Sequence, residues 1–409
     1  MGELYHKPRR EYGIIRCTEL EGKMKSILWI LNGCGLEGKG VTGAPVRFHE
    51  ASRRFARLGF AQHLLTTPGG AEMVAELGSE LPRTVVPASL LLRKEPCRPF
   101  RFWSYVVTAL LWRFRRSRLP KSDVVVTVSD YFCDVVPAIS LRRTFGAKWV
   151  AWIHHCETDP KTRPGLRIVN EITARMQRWS FRRIARHADA AWINDTVAGD
   201  EIERRLLSFG MDRAKIRRMK NGIDLKAIQS ATAERKTDAV MVGVRPNKGL
   251  YDIIPIWERV LARRPGTTLA LMGGMGGEAG VLKEIERRRL PITALRPEGG
   301  GFLPAPLYYA KMKEAGILFA PSHEEGWGIA VCEAMAAGLP VVAYDLPAYQ
   351  KIYKGAYLPV PCFDHDAFAD AIVRALDDVQ CFDGLRGRGL ACAANYGWDQ
   401  IAEEDASAL

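Results

Sequence analysis

Two carboxylates eight residues apart give the first chemical signal. Glu325 and Glu333 lie in APSHEEGWGIAVCEAMAAGLPVVAYD (320–345), one in a loop with Gly326 and Gly328, the other inside an apolar run. A carboxylate accepts two hydroxyl hydrogen bonds at once, so such a pair suits a polyhydroxylated ligand such as a sugar or a ribose. AGILFAPS reads as a buried strand, HEEGWG as a loop and IAVCEAMAA as a helix, stopped by Gly338 with Pro340 just beyond. A helix that follows a strand end directly offers its free N–H groups and positive dipole end to a phosphate. Gly326 and Gly328 let the backbone approach that ligand closely. An ordinary reading competes with this one: Glu325 caps the helix and Glu333 is a solvated helix residue.

The elements around this stretch must position it. SILWILNG (26–33) is an apolar strand ending in the glycine-rich GCGLEGKGVTGAP, and VRFHEASRRFARLG is an amphipathic helix stopped by Gly59. FAQHLLTT, SDVVVTVS and AKWVAWIHH continue the strands, and ADAAWIND is expected to be the last of the first sheet. KIRRMKNGIDL is read as a short strand and turn before the junction. TDAVMVGV then opens a second series, continued by GTTLALMGG, LPITALRP, AGILFAPS and LPVVAYD with helical segments between. Strands alternating with helices predict an α/β fold of two Rossmann-like, doubly wound parallel-sheet domains facing a cleft, with ligands at the strand carboxyl ends. The expected division is an N-terminal extension (1–24), a first domain (25–225), a second domain (226–395) and a C-terminal helical segment (396–409).

Composition narrows the partners. Of 409 residues, 47% are hydrophobic, enough for two full cores. Residues 1–220 carry 39 Lys and Arg against 22 Asp and Glu, and the remainder 20 against 24, so the net charge of +13 belongs to the first half. A basic half implies an anionic partner. Nine cysteines without a CxxC pair favour reduced thiols in the cytoplasm over a disulfide framework or structural zinc. The mixed-charge start does not read as a signal peptide, and no apolar run reaches the ~20 residues of a membrane span.

PSHEEGWGIAVCEAMAAGLPVVAYD resembles the signature of the family 4 retaining glycosyltransferases, which have the two-domain GT-B fold: Glu, seven residues, Glu, then Ala-Met-Ala-x-Gly-x-Pro-Val-Val. Asn221-Gly222-Ile223-Asp224, VGVRPNKG, ALMGGMG and NYGWDQIAEE resemble four further family segments in the same order. The resemblance implies transfer of a sugar from a nucleoside diphosphate donor to an acceptor hydroxyl, in cell-surface glycan or glycolipid synthesis. By the same resemblance Glu333 binds the donor ribose and Glu325 the donor sugar. Backbone at Gly326, Gly328 and Ile329 and the loop with Gly273 and Gly274 hold the diphosphate end. Lys248 and Arg245 neutralise the departing diphosphate, although GVRPNKG is about one residue shorter than the family pattern. His154, after AKWVAWI, falls near the reacting carbon, and Gly43, with Gly40 before it, falls where the first-domain loop meets donor and acceptor. No covalent nucleophile or general base is assigned. A GT-B epimerase or phosphorylase, or a non-catalytic membrane-associated sugar-nucleotide-binding protein, are the alternatives.

No cofactor or metal is expected. Asp364-x-Asp366 has a spacing that can hold a divalent cation, but Asp366 is read as an N-cap of the helix AFADAIVRALDD. On the acceptor side, RKEPCRPFRFWSYVVTALLWRFRRSRLPK (93–121) carries nine Lys and Arg, one Glu and six aromatic residues. Two readings stand: a helix lying on an anionic membrane surface, peripheral on its inner face, or a core helix with a basic exposed end. No nucleic-acid motif accompanies the charge.

Overall fold

The computed structural model describes residues 25–34, 43–87, 101–157, 160–161, 166–275, 277–295 and 303–409. The expected 1–24 extension, Gly40 and the 93–100 part of the basic segment lie outside the described residues.

Short runs of Val, Ile, Trp and Leu become strands buried on both faces, as parallel sheets covered by helices require. The first sheet holds β1 (Ser26–Leu31), β2 (Ala61–Thr66), β3 (Arg83–Val85), β4 (Val124–Thr127), β5 (Lys148–Ile153), β6 (Ala190–Asn194) and β7 (Ile216–Met219), in the order β3-β2-β1-β4-β5-β6-β7. Every pairing in it is parallel. The second holds β8 (Thr237–Val244), β9 (Leu269–Met275), β10 (Ile292–Ala294), β11 (Ala315–Ala320), β12 (Val341–Tyr344) and β13 (Leu358–Val360), in the order β10-β9-β8-β11-β12-β13, again parallel throughout. Strand order reverses between β1 and β4 and between β8 and β11, and such reversals open a crevice at the strand carboxyl ends.

One expectation is corrected here. β6 is not the last strand of the first sheet: Ile216–Met219 pairs with Ala191–Asn194 outside it. IRRM lacks a continuous apolar run because it is an edge strand. Its Arg217 lies over the Trp192 ring at 5.5 Å, and its Arg218 pairs with Asp200 at 2.7 Å.

The first core is rich in tryptophan. Trp29 meets Trp152 edge-on at 5.3 Å, and Trp152 stacks on Trp192 at 6.0 Å. This core is completed from the far end of the sequence. The helix Trp398–Ala408 packs along the first helix, Gly43–Arg57, and Ala402 and Leu409 join the apolar cluster of Trp29 and Phe48. Arg54 Nε reaches Asp399 Oδ1 at 2.6 Å across the same contact. The chain thus passes between the halves twice, and the two passages touch: Ile223 N donates to Tyr396 O at 2.8 Å, and Trp398 N donates to Ile223 O at 3.1 Å.

Candidate active site

The loops after β8 and β11 meet at the reversal point of the second sheet. Lys248 follows β8 and Glu325 follows β11, and Lys248 Nζ sits 2.5 Å from Glu325 Oε1. Gly249 makes the approach of the two loops possible. Its φ is +84°, and a Cβ there would fall 2.1 Å from Pro321 O. His323 ties the loops again, its N–H donating to Asn247 O at 3.0 Å while Nε2 lies 2.6 Å from Asp252 Oδ2. Glu325 is consequently fixed. Ser322 Oγ donates to its Oε1 at 3.0 Å and Tyr349 Oη at 3.2 Å, alongside Lys248. Oε2 takes part in no hydrogen bond among the described residues, so its lone pairs are available to ligand hydroxyls. Glu324 is exposed beside it.

The helix Ile329–Ala336 starts on Gly328, whose φ is +84° and whose Cβ position lies 2.7 Å from Tyr349 Cε1. A side chain at that position would push the helix start off Tyr349. Glu333 sits about one turn in. It does not stand open to solvent: Tyr308 Oη donates to Oε2 at 2.9 Å and Tyr309 Oη to Oε1 at 3.2 Å, both from the helix Ala305–Lys313. Burial raises its pKa from 4.5 to about 7, against the opposing pull of the two phenols. The carboxylate in the apolar run is thus a half-buried group held by two tyrosines at the cleft end of a helix.

Across the cleft, His154 follows β5. Its Nε2 lies 2.9 Å from Val128 O. A carbonyl only accepts, so Nε2 carries the proton and Nδ1 is the acceptor. Burial, and then the charge of Arg47, depress its pKa to about 4, which keeps the imidazole neutral. His154, Gly43 and Ile329 line one cavity of ≈ 310 Å³ together with Arg47, Asn194 and Trp398. The two halves and the C-terminal helix therefore share a single space. His155 is exposed and points toward Glu157, with Nε2 to Oε1 at 3.8 Å.

Other expected residues lie outside that cavity. Gly273 and Gly274 lie near the carboxyl end of β9, and the Cβ position of Gly273 is 3.2 Å from Gly243 N, where the β8–β9 register shifts. Arg245 is exposed and has no side-chain partner among the described residues. Gly326 is exposed, with nothing within 4 Å of its Cβ position. The capping assignment is corrected: Asp364, not Asp366, caps His365–Asp377 by accepting from Ala367 N at 2.9 Å. Asp366 lies inside the first turn and pairs with Arg259 at 3.0 Å and Arg263 at 2.8 Å. Among the described residues no group of three or more His, Cys, Asp or Glu could hold a metal.

Several residues at the site were not anticipated: Arg47, Trp398, Tyr308, Tyr309 and Tyr349. Arg47 is fully buried, with Nη2 2.8 Å from Asp405 Oδ2, Nη1 donating to Lys220 O, and Nε without a partner among the described residues. Its guanidinium lies 5.5 Å from the Trp152 ring centre and 5.7 Å from that of Trp398. In sequence it is one more arginine on an amphipathic helix.

The comparisons with known proteins agree with this architecture. The pattern described as Glycosyltransferase Family 4 matches residues 41–227, and that of Glycosyl transferases group 1 matches residues 236–378. The chain is 27% identical over 273 residues to glycogen synthase of Mycobacterium tuberculosis, covering 65% of this chain and 64% of that one. It is 27% identical over 238 residues to GDP-mannose:cellobiosyl-diphosphopolyprenol alpha-mannosyltransferase of Xanthomonas campestris, covering 56% and 61%. The chain thus spans less than two thirds of the length of these relatives. Among solved structures, sucrose-phosphate synthase from Thermosynechococcus elongatus superposes with a TM-score of 0.67 at 16% identity, over 94% of this chain and 98% of that one. Anabaena HepE in complex with UDP gives 0.66 at 16% identity, over 94% and 99%. With both halves matched by glycosyltransferase patterns and two parallel sheets meeting at a shared cleft, the chain belongs to the family 4 glycosyltransferases and has their GT-B fold.

Proposed function

We propose that this protein transfers a sugar from a nucleoside diphosphate donor to an acceptor hydroxyl, with retention of anomeric configuration and without a metal ion. The observation that carries the reading is the Lys248–Glu325 pair at the reversal point of the second sheet. One partner carries the charge a departing diphosphate needs, and the other has a free carboxylate oxygen for sugar hydroxyls. Glu333 takes the ribose hydroxyls, and N–H groups at the start of the Ile329–Ala336 helix take phosphate oxygens. Lys248, Arg245 and the helix dipole do the charge work a metal does elsewhere, because charge developing on the leaving group is where stabilisation lowers the barrier. The bond from the anomeric carbon to the diphosphate breaks as the bond to the acceptor oxygen forms. The acceptor proton passes to the departing phosphate oxygen. Neutral His154 accepts a hydroxyl hydrogen bond at Nδ1 and orients the sugar. The acceptor is a glycan or glycolipid that enters against the first domain, on the cytoplasmic side of a membrane; Anabaena HepE has been solved in complex with UDP and with UDP-glucose, which makes uridine donors the first to try.

A thermal-shift series with nucleotide sugars tests the donor site, since a ligand that binds only the folded state raises Tm. At least one nucleoside diphosphate sugar should stabilise the wild type. Glu325→Ala should retain free-nucleotide binding and lose transfer by ~100-fold or more. Normal turnover in that variant, an epimerised sugar formed without acceptor, or indifference to every donor would each defeat the reading.

A further inference from the structure

We infer that one face of the first domain docks on an anionic lipid bilayer, with lipid phosphates seated in an arginine-lined groove. This deepens the acceptor-side reading above and rests on its placement at a membrane. The face is built by the helix Arg101–Leu111, the turn Trp112–Arg118 and the helices Phe132–Phe145 and Arg167–His187.

Two features meet there. The first is an apolar ridge. Trp103, Leu110 and Phe114 are 55%, 52% and 82% exposed at helical spacing, while Ser104, Thr108 and Trp112 are buried on the inner side. No helix among the described residues is long and apolar enough to cross a membrane, so the ridge can only enter an interface. The second is a groove of ≈ 450 Å³ beside the ridge, with Arg113, Arg143, Arg183 and His187 around a floor that includes Ile139 and Trp179. Arg116 Nη2 donates to Thr144 Oγ1 at 2.9 Å and joins the turn to the neighbouring helix as one surface.

The charge on this face is left unmatched. Residues 101–121 contain six Lys and Arg and no acid, and the Arg167–His187 helix carries six Arg against Glu171 alone. Among the described residues no carboxylate pairs with Arg113, Arg143 or Arg183; Arg183 lies over the Trp179 ring at 5.2 Å instead. Elsewhere the surface neutralises its arginines locally, Arg204 and Arg205 with Glu201 and Arg287 and Arg288 with Glu284. Positive potential also registers on His187, whose pKa is lowered by burial and then by Arg143, Arg183 and Arg186. Free guanidiniums recognise phosphate oxygens. Exposed Trp, Leu and Phe beside them fit acyl chains and glycerol, which a nucleic-acid backbone does not offer. Basic residues near an anionic leaflet and an aromatic anchor at its surface reinforce each other.

The test is flotation of the full chain with vesicles of phosphatidylcholine alone or with about 30% phosphatidylglycerol. Wild type should float with the anionic vesicles, less so at high salt, and not with neutral ones. Arg113→Glu/Arg143→Glu should weaken partitioning roughly 30-fold or more. Phe114→Ser/Trp103→Ser should weaken it at least about 10-fold. Lys283→Glu/Arg374→Glu, the same charge change on exposed second-domain positions, should leave it within a few-fold. Equal flotation with neutral vesicles, wild-type behaviour of the arginine pair variant, or RNA binding through this face without vesicle binding would each overturn the inference. Nucleotide-sugar thermal shifts on the same proteins separate the two proposals. Lost flotation with intact donor stabilisation removes only the docking face. Intact flotation without donor stabilisation removes only the enzymatic reading.

Discussion

Replacing Glu333 by Gln removes a carboxyl group that the fold holds in the wrong ionisation state for water. The folded pKa is about 7 against 4.5 for an exposed glutamate, because burial disfavours the charge. The sign follows from linkage. Between pH 4.5 and pH 7 the folded protein binds more protons at this site than the unfolded chain, so stability falls as pH rises through that window and levels above it. The shift corresponds to roughly 3 kcal/mol of destabilisation at pH 8, and to well under half of that at pH 5. Gln keeps the shape and can still accept from one tyrosine and donate to the other, since a phenol does both. Glu333→Gln should therefore gain about 2 kcal/mol more in urea-unfolding stability at pH 8 than at pH 5. Buried Asp134, also raised to about 7, contributes in the same direction, but it is present in both proteins and drops out of the difference. The same variant should bind nucleotide more weakly, because the amide replaces a double acceptor for ribose hydroxyls. A stability difference that is the same at both pH values, or a loss at pH 8, would show that the tyrosine pair holds an ordinary carboxylate.

Three further expectations concern the supporting residues. Gly249→Ala should cost about 2 kcal/mol or more and disable transfer, because the Cβ meets Pro321 O and the left-handed φ is strained; Gly326→Ala, in open space, should change urea stability by less than about 0.5 kcal/mol. Asp405→Ala should destabilise by about 3–5 kcal/mol, as it strands the buried Arg47 charge, whereas Arg47→Met/Asp405→Leu should recover most of that loss in denaturant titrations. His154 should titrate by NMR near pH 4 in the folded state, so its burial as a neutral ring adds stability above pH 6.5 that disappears as pH falls toward 4; a midpoint near 6.5 would refute the buried neutral assignment.

The legibility of this fold in its sequence followed local signal strength. Strands such as VVVT of β4 and AGILFA of β11 stand out because covered parallel strands must be apolar on both faces. The strand at β7 was legible, but its place as the outer edge of the first sheet was not, because IRRM keeps its arginines for Trp192 and Asp200, partners no local pattern announces. At the site, Glu325 and Glu333 could be picked out by their offset, and Lys248 by its motif. What holds them could not: Tyr349 comes from the helix Pro347–Ile352, Tyr308 and Tyr309 from another, and each is an ordinary apolar-patterned position until the chain folds. Arg47 was hidden for the opposite reason, since charge on an amphipathic helix normally signals solvent. Asp364 and Asp366 are both plausible caps by type, and only the bond to Ala367 N separates them.

The touching passages at Ile223 and Tyr396–Trp398 carry a mechanical consequence. A single linker would let the two halves swing and slide in any direction. Two linkers hydrogen-bonded at one point act as a pivot pin, which passes rotation and resists translation. Asn221 and Trp398, which line the shared cavity, sit beside that pin. Displacement under rotation grows with distance from the axis, so the cavity's inner wall keeps its dimensions while its outer lips travel. Any breathing of this molecule should widen the mouth of the cleft and leave the seat under His154 nearly unchanged.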